Sequence, residues 1–390
     1  MCNLGTGPNC TVQIGDRPKL HGAGWGQSQI APTEFDYMNH GGDIYRNKVN
    51  MDFSVNLNPM GTPPEVLKAM QEAIKRSDVY PDILHEDLLS GLQNMFGISA
   101  ETITFGSGAS ELITATVRAI NPKTALIFEP AFTGYTHALD AVNCNVHRVI
   151  LKEARGFKLT EDELEVITTR PDLIIICDPA NPTGLNVETD VLISLLNKAK
   201  ENGCKVILDQ SFYLLSDNSE IFPEAEINSL IEKYDNLYII RSFTKFLAIP
   251  GIRAGYLLAT PQNVEAVNRQ LPEWNISVVA EEAMKAGIDV LRGGDFVRES
   301  LELIQRERDF LQRSLMNLGL SIFKSNTCFI MFKGPEGLYE GLLNRGILIR
   351  DCSDYPGLFK GFYRIAVRNH KDNVTFIETL KEVMFDEQLK

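Results

Sequence analysis

Leu237-Tyr238-Ile239-Ile240-Arg241-Ser242-Phe243-Thr244-Lys245, followed eight residues after the lysine by Arg253, is the stretch on which the fold turns. Leu237–Arg241 is short and mostly apolar, and it stops at the polar pair Ser242 and Thr244, which predicts a buried strand delivering a lysine at its end. Six comparable segments accompany it: Thr102–Phe105, Ala125–Phe128, Asn145–Ile150, Leu173–Cys177, Lys205–Leu208 and Gly255–Ala259. Helix-like stretches such as Glu111–Ile120 and Val187–Asn202 separate most of them. The alternation predicts an α/β fold with a mostly parallel seven-stranded sheet sandwiched by helices.

Working outward, residues 1–36 are polar and rich in Gly and Pro, and read as a leader or arm. Residues 37–84 hold an extended run, Asp52–Pro59, and an amphipathic helix from Pro64 to Lys75. The large domain is expected over 85–285. After it come a long helix (Phe296–Leu318), strands at Phe329–Phe332, Ile347–Arg350 and Tyr363–Val367, and a terminal helix (Asp372–Met384). That pattern predicts a smaller α+β domain over 286–390.

Composition bounds the partners. The formal charge is −13, from 38 basic and 51 acidic residues, with no Lys/Arg-rich run. Such a surface repels nucleic acid and anionic membranes. No apolar run approaches the roughly 20 residues that span a bilayer, and the N-terminus lacks a secretory pattern. The 7 cysteines form no CxxC pair. Cys177 and Cys204 read as small core residues, Cys2 and Cys10 as incidental thiols, and the set as cytoplasmic and reducing, with no metal site.

In an open parallel sheet, ligands gather beyond the carboxyl ends of the strands. A lysine fixed there can form an imine with an aldehyde cofactor, while Ser242 and Arg253 hold a phosphate. S-x-x-K is also the nucleophile motif of penicillin-binding proteins and β-lactamases, and Ser216-Asp217-Asn218 spells their second signature. It lies on the wrong side of the lysine, however, and no Lys-Thr-Gly occurs.

Four further strand ends carry candidate groups. Asp209 can sit under a pyridine nitrogen and keep it protonated. Asn181, in Asn181-Pro182-Thr183-Gly184, can donate to a phenolate oxygen. Gly108, Ala109 and Ser110 open a helix whose N–H groups suit a single phosphate; Glu111 stands where a dinucleotide fingerprint needs its third glycine. Phe132 can stack a ring on the cofactor. Each alone also fits a plain turn, cap or packing residue.

Glycine loop, aromatic, N-P-T-G, Asp, S-x-x-K and Arg occur in the order found in fold-type I pyridoxal-phosphate enzymes, the aspartate aminotransferase superfamily. The resemblance runs from about residue 38 to the end. It is closest to L-threonine-O-3-phosphate decarboxylases of cobalamin biosynthesis and to histidinol-phosphate aminotransferases. His40-Gly41-Gly42, Asp52-Phe53-Ser54 with Asn58-Pro59, Tyr80-Pro81-Asp82, Ile349-Arg350 with Tyr355-Pro356-Gly357-Leu358, and Tyr363-Arg364 with Arg368 carry it.

The resemblance implies pyridoxal 5'-phosphate on Lys245 and a homodimer in which Tyr80 reaches the neighbouring subunit's cofactor phosphate, with 37–84 making dimer contacts. It implies that Arg364 clamps a substrate carboxylate. Arg350 and His40 are candidates for the substrate's second anion, with Arg368 and Asn58 beside them. The substrate class is a phosphorylated amino acid or amine, undergoing decarboxylation or transamination according to which Cα bond stands perpendicular to the ring. Ser107 in place of Asn, and Gln210 where Glu is common, depart from the pattern. A cofactor-binding regulator without turnover is the third reading, but the leader is too short and too poor in Lys and Arg for a DNA-binding domain.

Overall fold

The computed structural model describes residues 41–217 and 227–385. The expected leader, His40, Cys2 and Cys10 lie outside the described residues. Seven strands form the main sheet, in the spatial order Ile103–Gly106, Gly255–Leu258, Leu237–Ser242, Lys205–Asp209, Leu173–Cys177, Thr124–Glu129 and Asn145–Ile150. Gly255–Leu258 runs antiparallel to both neighbours, and the other pairings are parallel. The central strands are apolar on both faces because both faces are covered. Leu237 and Ile239 pack with Leu192 and Leu196 of the helix Thr189–Glu201. Tyr238 and Ile240 pack with Leu112 and Ile113 of the helix Ala109–Ile120.

Four strands run one residue beyond the stretches that announce them, ending at Gly106, Glu129, Asp209 and Ser242. Asp209 is in register with Cys177, and Ser242 with Gly255. The backbone ladder continues where the side chains turn polar, so apolar patterning stops short of the strand end.

A second sheet is antiparallel, in the order Arg350–Asp351, Phe362–Ala366, Phe329–Lys333 and Ser321–Ile322. The helix Asp295–Asn317 precedes it and His370–Phe385 follows it. The single strand expected over Ile347–Arg350 is divided, because the chain changes partners at Ile349. Ile347–Leu348 pairs in parallel with Met51–Asp52, whereas Arg350–Asp351 joins Phe362–Ala366. Of the expected extended run Asp52–Pro59 only Asp52 is strand, in Met51–Asp52. Next to it Phe53 is fully buried against Phe376, ring centroids 4.8 Å apart.

Polar ties join the parts. Arg308, on the long helix, reaches both oxygens of Asp217 at 2.8 and 2.6 Å and the Thr327 carbonyl at 3.2 Å. Asn58 donates to the Phe246 carbonyl (2.9 Å) and to Ser300 Oγ (2.8 Å). Among the described residues no helix is long and apolar enough to cross a membrane.

Candidate active site

A cavity of about 520 Å³ opens beyond the carboxyl ends of the parallel strands. Ala109, Phe132, Asn181, Asp209, Ser242 and Lys245 all line it, so the signals from separate strands converge in space. Ser110, Arg253, Arg350 and Arg364, also expected, stand on its walls, whereas Gly108 is not among the lining residues.

Lys245 sits in a single helical turn, Phe243–Phe246, started by Ser242. Ser242 Oγ accepts from the Thr244 amide at 3.2 Å and lies 2.6 Å from Thr244 Oγ1. The Asn58 amide donates to the Lys245 carbonyl at 3.1 Å, bracing the turn from outside the cavity. Burial lowers the Lys245 amine to about 8, and the positive charges of Arg364 and then Arg253 push the same way. Cys328 and Asp209 oppose the shift.

One end of the cavity is built for an anion. The first turn of the helix Ala109–Ile120, the hydroxyls of Ser242 and Thr244, and Arg253 face it together. Arg253 donates to the carbonyls of Pro250 (3.1 Å) and Ser107 (3.4 Å). Gly108 has φ +79°, and a Cβ there would stand 2.8 Å from Arg253 Nη2, so glycine is required twice over.

Another part of the lining is acidic. Asp209 is buried and accepts from Ser211 Oγ (2.6 Å), the Ser211 amide (2.9 Å) and the Tyr135 hydroxyl (2.7 Å). Burial pushes its carboxyl up, partly offset by the Ser211 and Tyr135 hydrogen bonds and by Lys245. Burial and the Asp209 charge hold the Tyr135 phenol well above its ordinary value, so it remains a donor. The Phe132 ring stands edge-on to Tyr135, centroids 5.6 Å apart.

Arg364 comes from the second sheet and is 5% exposed. It donates to Asn181 Oδ1 through Nη1 and to the Ser54 carbonyl at 2.7 Å through Nη2, and its buried Nε has no partner. With Oδ1 taken, Asn181 retains its Nδ2 donors for a ligand. Arg350, 6% exposed, lies over the Tyr355 ring and gives Nη2 to both Asp354 oxygens at 2.9 and 2.7 Å.

Two expected substrate residues are not brought in. Arg368 pairs with Asp372 (2.9 Å), donates to the Asp52 carbonyl (2.9 Å) and lies over Phe53, outside the lining. Asn58 is consumed by the bonds described above. In this structure the arginine and the asparagine of the expected motif satisfy backbone and helix partners that sequence does not display. Tyr80 is 74% exposed and rests on Trp274, centroids 4.8 Å apart, away from its own chain's cavity. Sequence reading also missed Tyr135, Ser211 and Asn56. Asn56 lines the cavity with a buried, unpartnered Oδ1. Nothing in the sequence separates it from Asn58 two residues on, and Tyr135 is signalled only by its place three residues after Phe132.

A cationic cup, a buried acid, a flat ring and a half-buried amine in one cavity fit a phosphorylated pyridine aldehyde. The fold and site therefore define an enzyme of the pyridoxal-phosphate-dependent type. The comparisons place it further: residues 48–380 match the family model for aminotransferase class I and II, and the chain belongs to that family. It is 30% identical over 340 residues to the threonine-phosphate decarboxylase of Salmonella typhimurium, covering 86% of this chain and 91% of that one. It is also 30% identical over 350 residues to the histidinol-phosphate aminotransferase of Thermoanaerobacter pseudethanolicus, covering 87% and 93%. Its fold matches the crystal structure of the histidinol-phosphate aminotransferase from Clostridium acetobutylicum with a TM-score of 0.77 and 29% identity, over 85% of this chain and 98% of that one. The cofactor of the family is pyridoxal 5'-phosphate.

Proposed function

We propose that this enzyme decarboxylates a phosphorylated amino acid of the threonine-phosphate type. The observation that carries the reading is the pair Arg364 and Arg350 on the cavity wall in addition to Arg253. With Arg253 given to the cofactor phosphate, two guanidinium groups remain for a substrate bearing two anions, a carboxylate and a phosphate. Relatives named as threonine-phosphate decarboxylases support it.

Pyridoxal 5'-phosphate, when bound, supplies an aldehyde for an amine and a ring that withdraws the electron pair of a breaking Cα bond. Ala109, Ser110, Ser242, Thr244 and Arg253 would hold its phosphate, Asp209 would keep its ring nitrogen protonated, and Phe132 would cover a ring face; all of them line the cavity. Asn181 would donate through Nδ2 to the phenolate oxygen. Lys245 is the amine that anchors the cofactor, and its lowered pKa keeps a share neutral and nucleophilic near pH 7. Arg364 fixes the substrate carboxylate and so decides which Cα bond is exposed. After the carboxyl group leaves, the Lys245 Nζ is placed to give a proton to Cα.

The second reading is an aminotransferase of the histidinol-phosphate type, favoured by an equally similar relative. There Lys245 Nζ takes the Cα proton instead. The working unit is a homodimer: Tyr80, exposed beside Trp274, lies on the face given to the second chain and reaches that chain's cofactor phosphate. The cytoplasmic setting is supported by free, buried thiols at Cys144, Cys177, Cys204, Cys328 and Cys352.

Product analysis by mass spectrometry with threonine phosphate, serine phosphate and histidinol phosphate tests the reading. Release of CO2 with aminopropanol phosphate from threonine phosphate is expected. Formation of pyridoxamine phosphate, with turnover dependent on a 2-oxo acid, would replace it with the second reading. Lys245→Ala abolishes both the imine absorbance and turnover.

A further inference from the structure

Behind the cofactor cavity, on the opposite side of the strand that ends in Ser242, lies a buried arginine without a counter-charge. Arg241 is 4% exposed. Its Nε donates to Gln210 Oε1 at 2.9 Å, and its guanidinium lies 4.3 Å from the Tyr213 ring centroid and 5.5 Å from that of Phe96. Among the described residues it forms no ion pair. Its Nη2 is buried and has no hydrogen-bond partner. Gln210 is 2% exposed, and its Nε2 is likewise buried and unpartnered. The Gln210 amide orientation is fixed by chemistry, since only its oxygen can accept from Arg241.

Two buried N–H groups therefore want an acceptor, and one belongs to a full positive charge. Leaving such groups unmatched is costly, and an unpaired buried cation more so. Both residues line one small cavity of about 10 Å³, walled otherwise by side chains such as Phe243, Phe246 and Tyr256. Its size suits one small species and excludes phosphate, sulfate or a carboxylate ligand. A water would accept both bonds but leave the charge uncompensated. A monoatomic anion accepts both bonds and neutralises the arginine.

We propose that Gln210 Nε2 and Arg241 Nη2 form a halide site, occupied by chloride in solution, directly behind the strand ends that carry Asp209 and Ser242. The proposal is independent of the reaction assigned above.

Two measurements on the holoenzyme test it. In crystals soaked in bromide, an anomalous peak is expected in this cavity within hydrogen-bond reach of both nitrogens. In parallel, Tm is followed as chloride replaces gluconate at constant ionic strength. A binding anion raises Tm saturably, by about 1–3 °C on the usual linkage scale. Gln210→Glu supplies the missing negative charge from the protein itself and is expected to abolish both the anomalous peak and the chloride dependence. A cavity holding only water, with wild-type Tm equal in chloride and gluconate, overturns the proposal. The bromide crystal decides the matter even if the variant fails to fold.

Discussion

The Tyr135 hydroxyl donates to Asp209 Oδ2 over 2.7 Å, and both side chains are buried. The bond joins the helix Gly134–Asp140, which follows the strand Thr124–Glu129, to the end of a strand two places across the sheet. It also fixes the direction of the carboxylate, because Ser211 occupies the other oxygen at 2.6 Å. Tyr135→Phe removes one of these donors and leaves a buried carboxylate under-satisfied. We expect a loss of about 1–3 kcal/mol in stability and weaker cofactor retention, read by thermal melting and by dialysis of the yellow holoenzyme. An unchanged cofactor dissociation rate would show that Asp209 needs no such orientation.

Titration of Lys245 offers a second check. Its folded pKa is lowered to about 8, below the ordinary lysine value of 10.5. Between those values the unfolded chain binds more protons than the folded one, so this group makes the cofactor-free protein more stable as pH rises from about 8 towards 10.5. The same shift sets reactivity: capture of pyridoxal 5'-phosphate by the cofactor-free protein is expected to rise with pH, half-maximal near 8. In Arg364→Ala the largest like-charge contribution is gone and the midpoint moves upward. Stopped-flow absorbance measures both proteins; a wild-type midpoint near the ordinary lysine value would discard the claim.

Asp354 occupies the Arg350 guanidinium that the proposed substrate phosphate would use, at 2.9 and 2.7 Å. Asp354→Asn keeps the shape but removes the competing charge. KM for a phosphorylated substrate should fall by about tenfold, equivalent to about 1.4 kcal/mol, with little change for the unphosphorylated analogue. An equal change for both substrates would mean that Arg350 does not contact the phosphate.

Gly108→Ala tests the anion cup. The φ of +79° and the 2.8 Å approach of a new Cβ to Arg253 Nη2 both oppose it. At φ 79° and ψ 173° the backbone lies in a region reserved essentially to glycine, which alone costs another residue about 1–3 kcal/mol. Cofactor affinity is expected to drop by at least about tenfold while the fold persists, as measured by fluorescence titration and circular dichroism.

Much of this organisation was legible before any coordinates. Six of the seven main strands follow from short apolar runs between helices, because a sheet buried on both faces tolerates little else; the edge strand Asn145–Ile150 is largely exposed instead. Lys245, Asp209 and Asn181 were legible for a related reason: each follows a buried strand, and strand ends in such a sheet share one rim; Arg253 reaches that rim by preceding the antiparallel strand Gly255–Leu258. What escaped notice depends on contacts distant in sequence. Tyr135 meets Asp209 across 74 positions and Arg364 meets Asn181 across 183. Two residues expected in the site but absent from the cavity lining show the converse. Arg368 and Asn58 sit in the expected motif, yet their hydrogen bonds go to Asp52, Asp372, Phe246 and Ser300, which only the folded chain brings near.

The two-residue pairing of Met51–Asp52 with Ile347–Leu348 bears on biogenesis. Met51–Asp52 has no ladder partner until the chain has been made as far as Ile347–Leu348. The main sheet is therefore free to assemble during translation, whereas the stretch bearing Ser54 and Asn56 waits for the C-terminal strands. A nascent chain stalled before Ile347 would carry the lysine and the acid but lack the Arg364 wall, and it would be unable to discriminate among substrates.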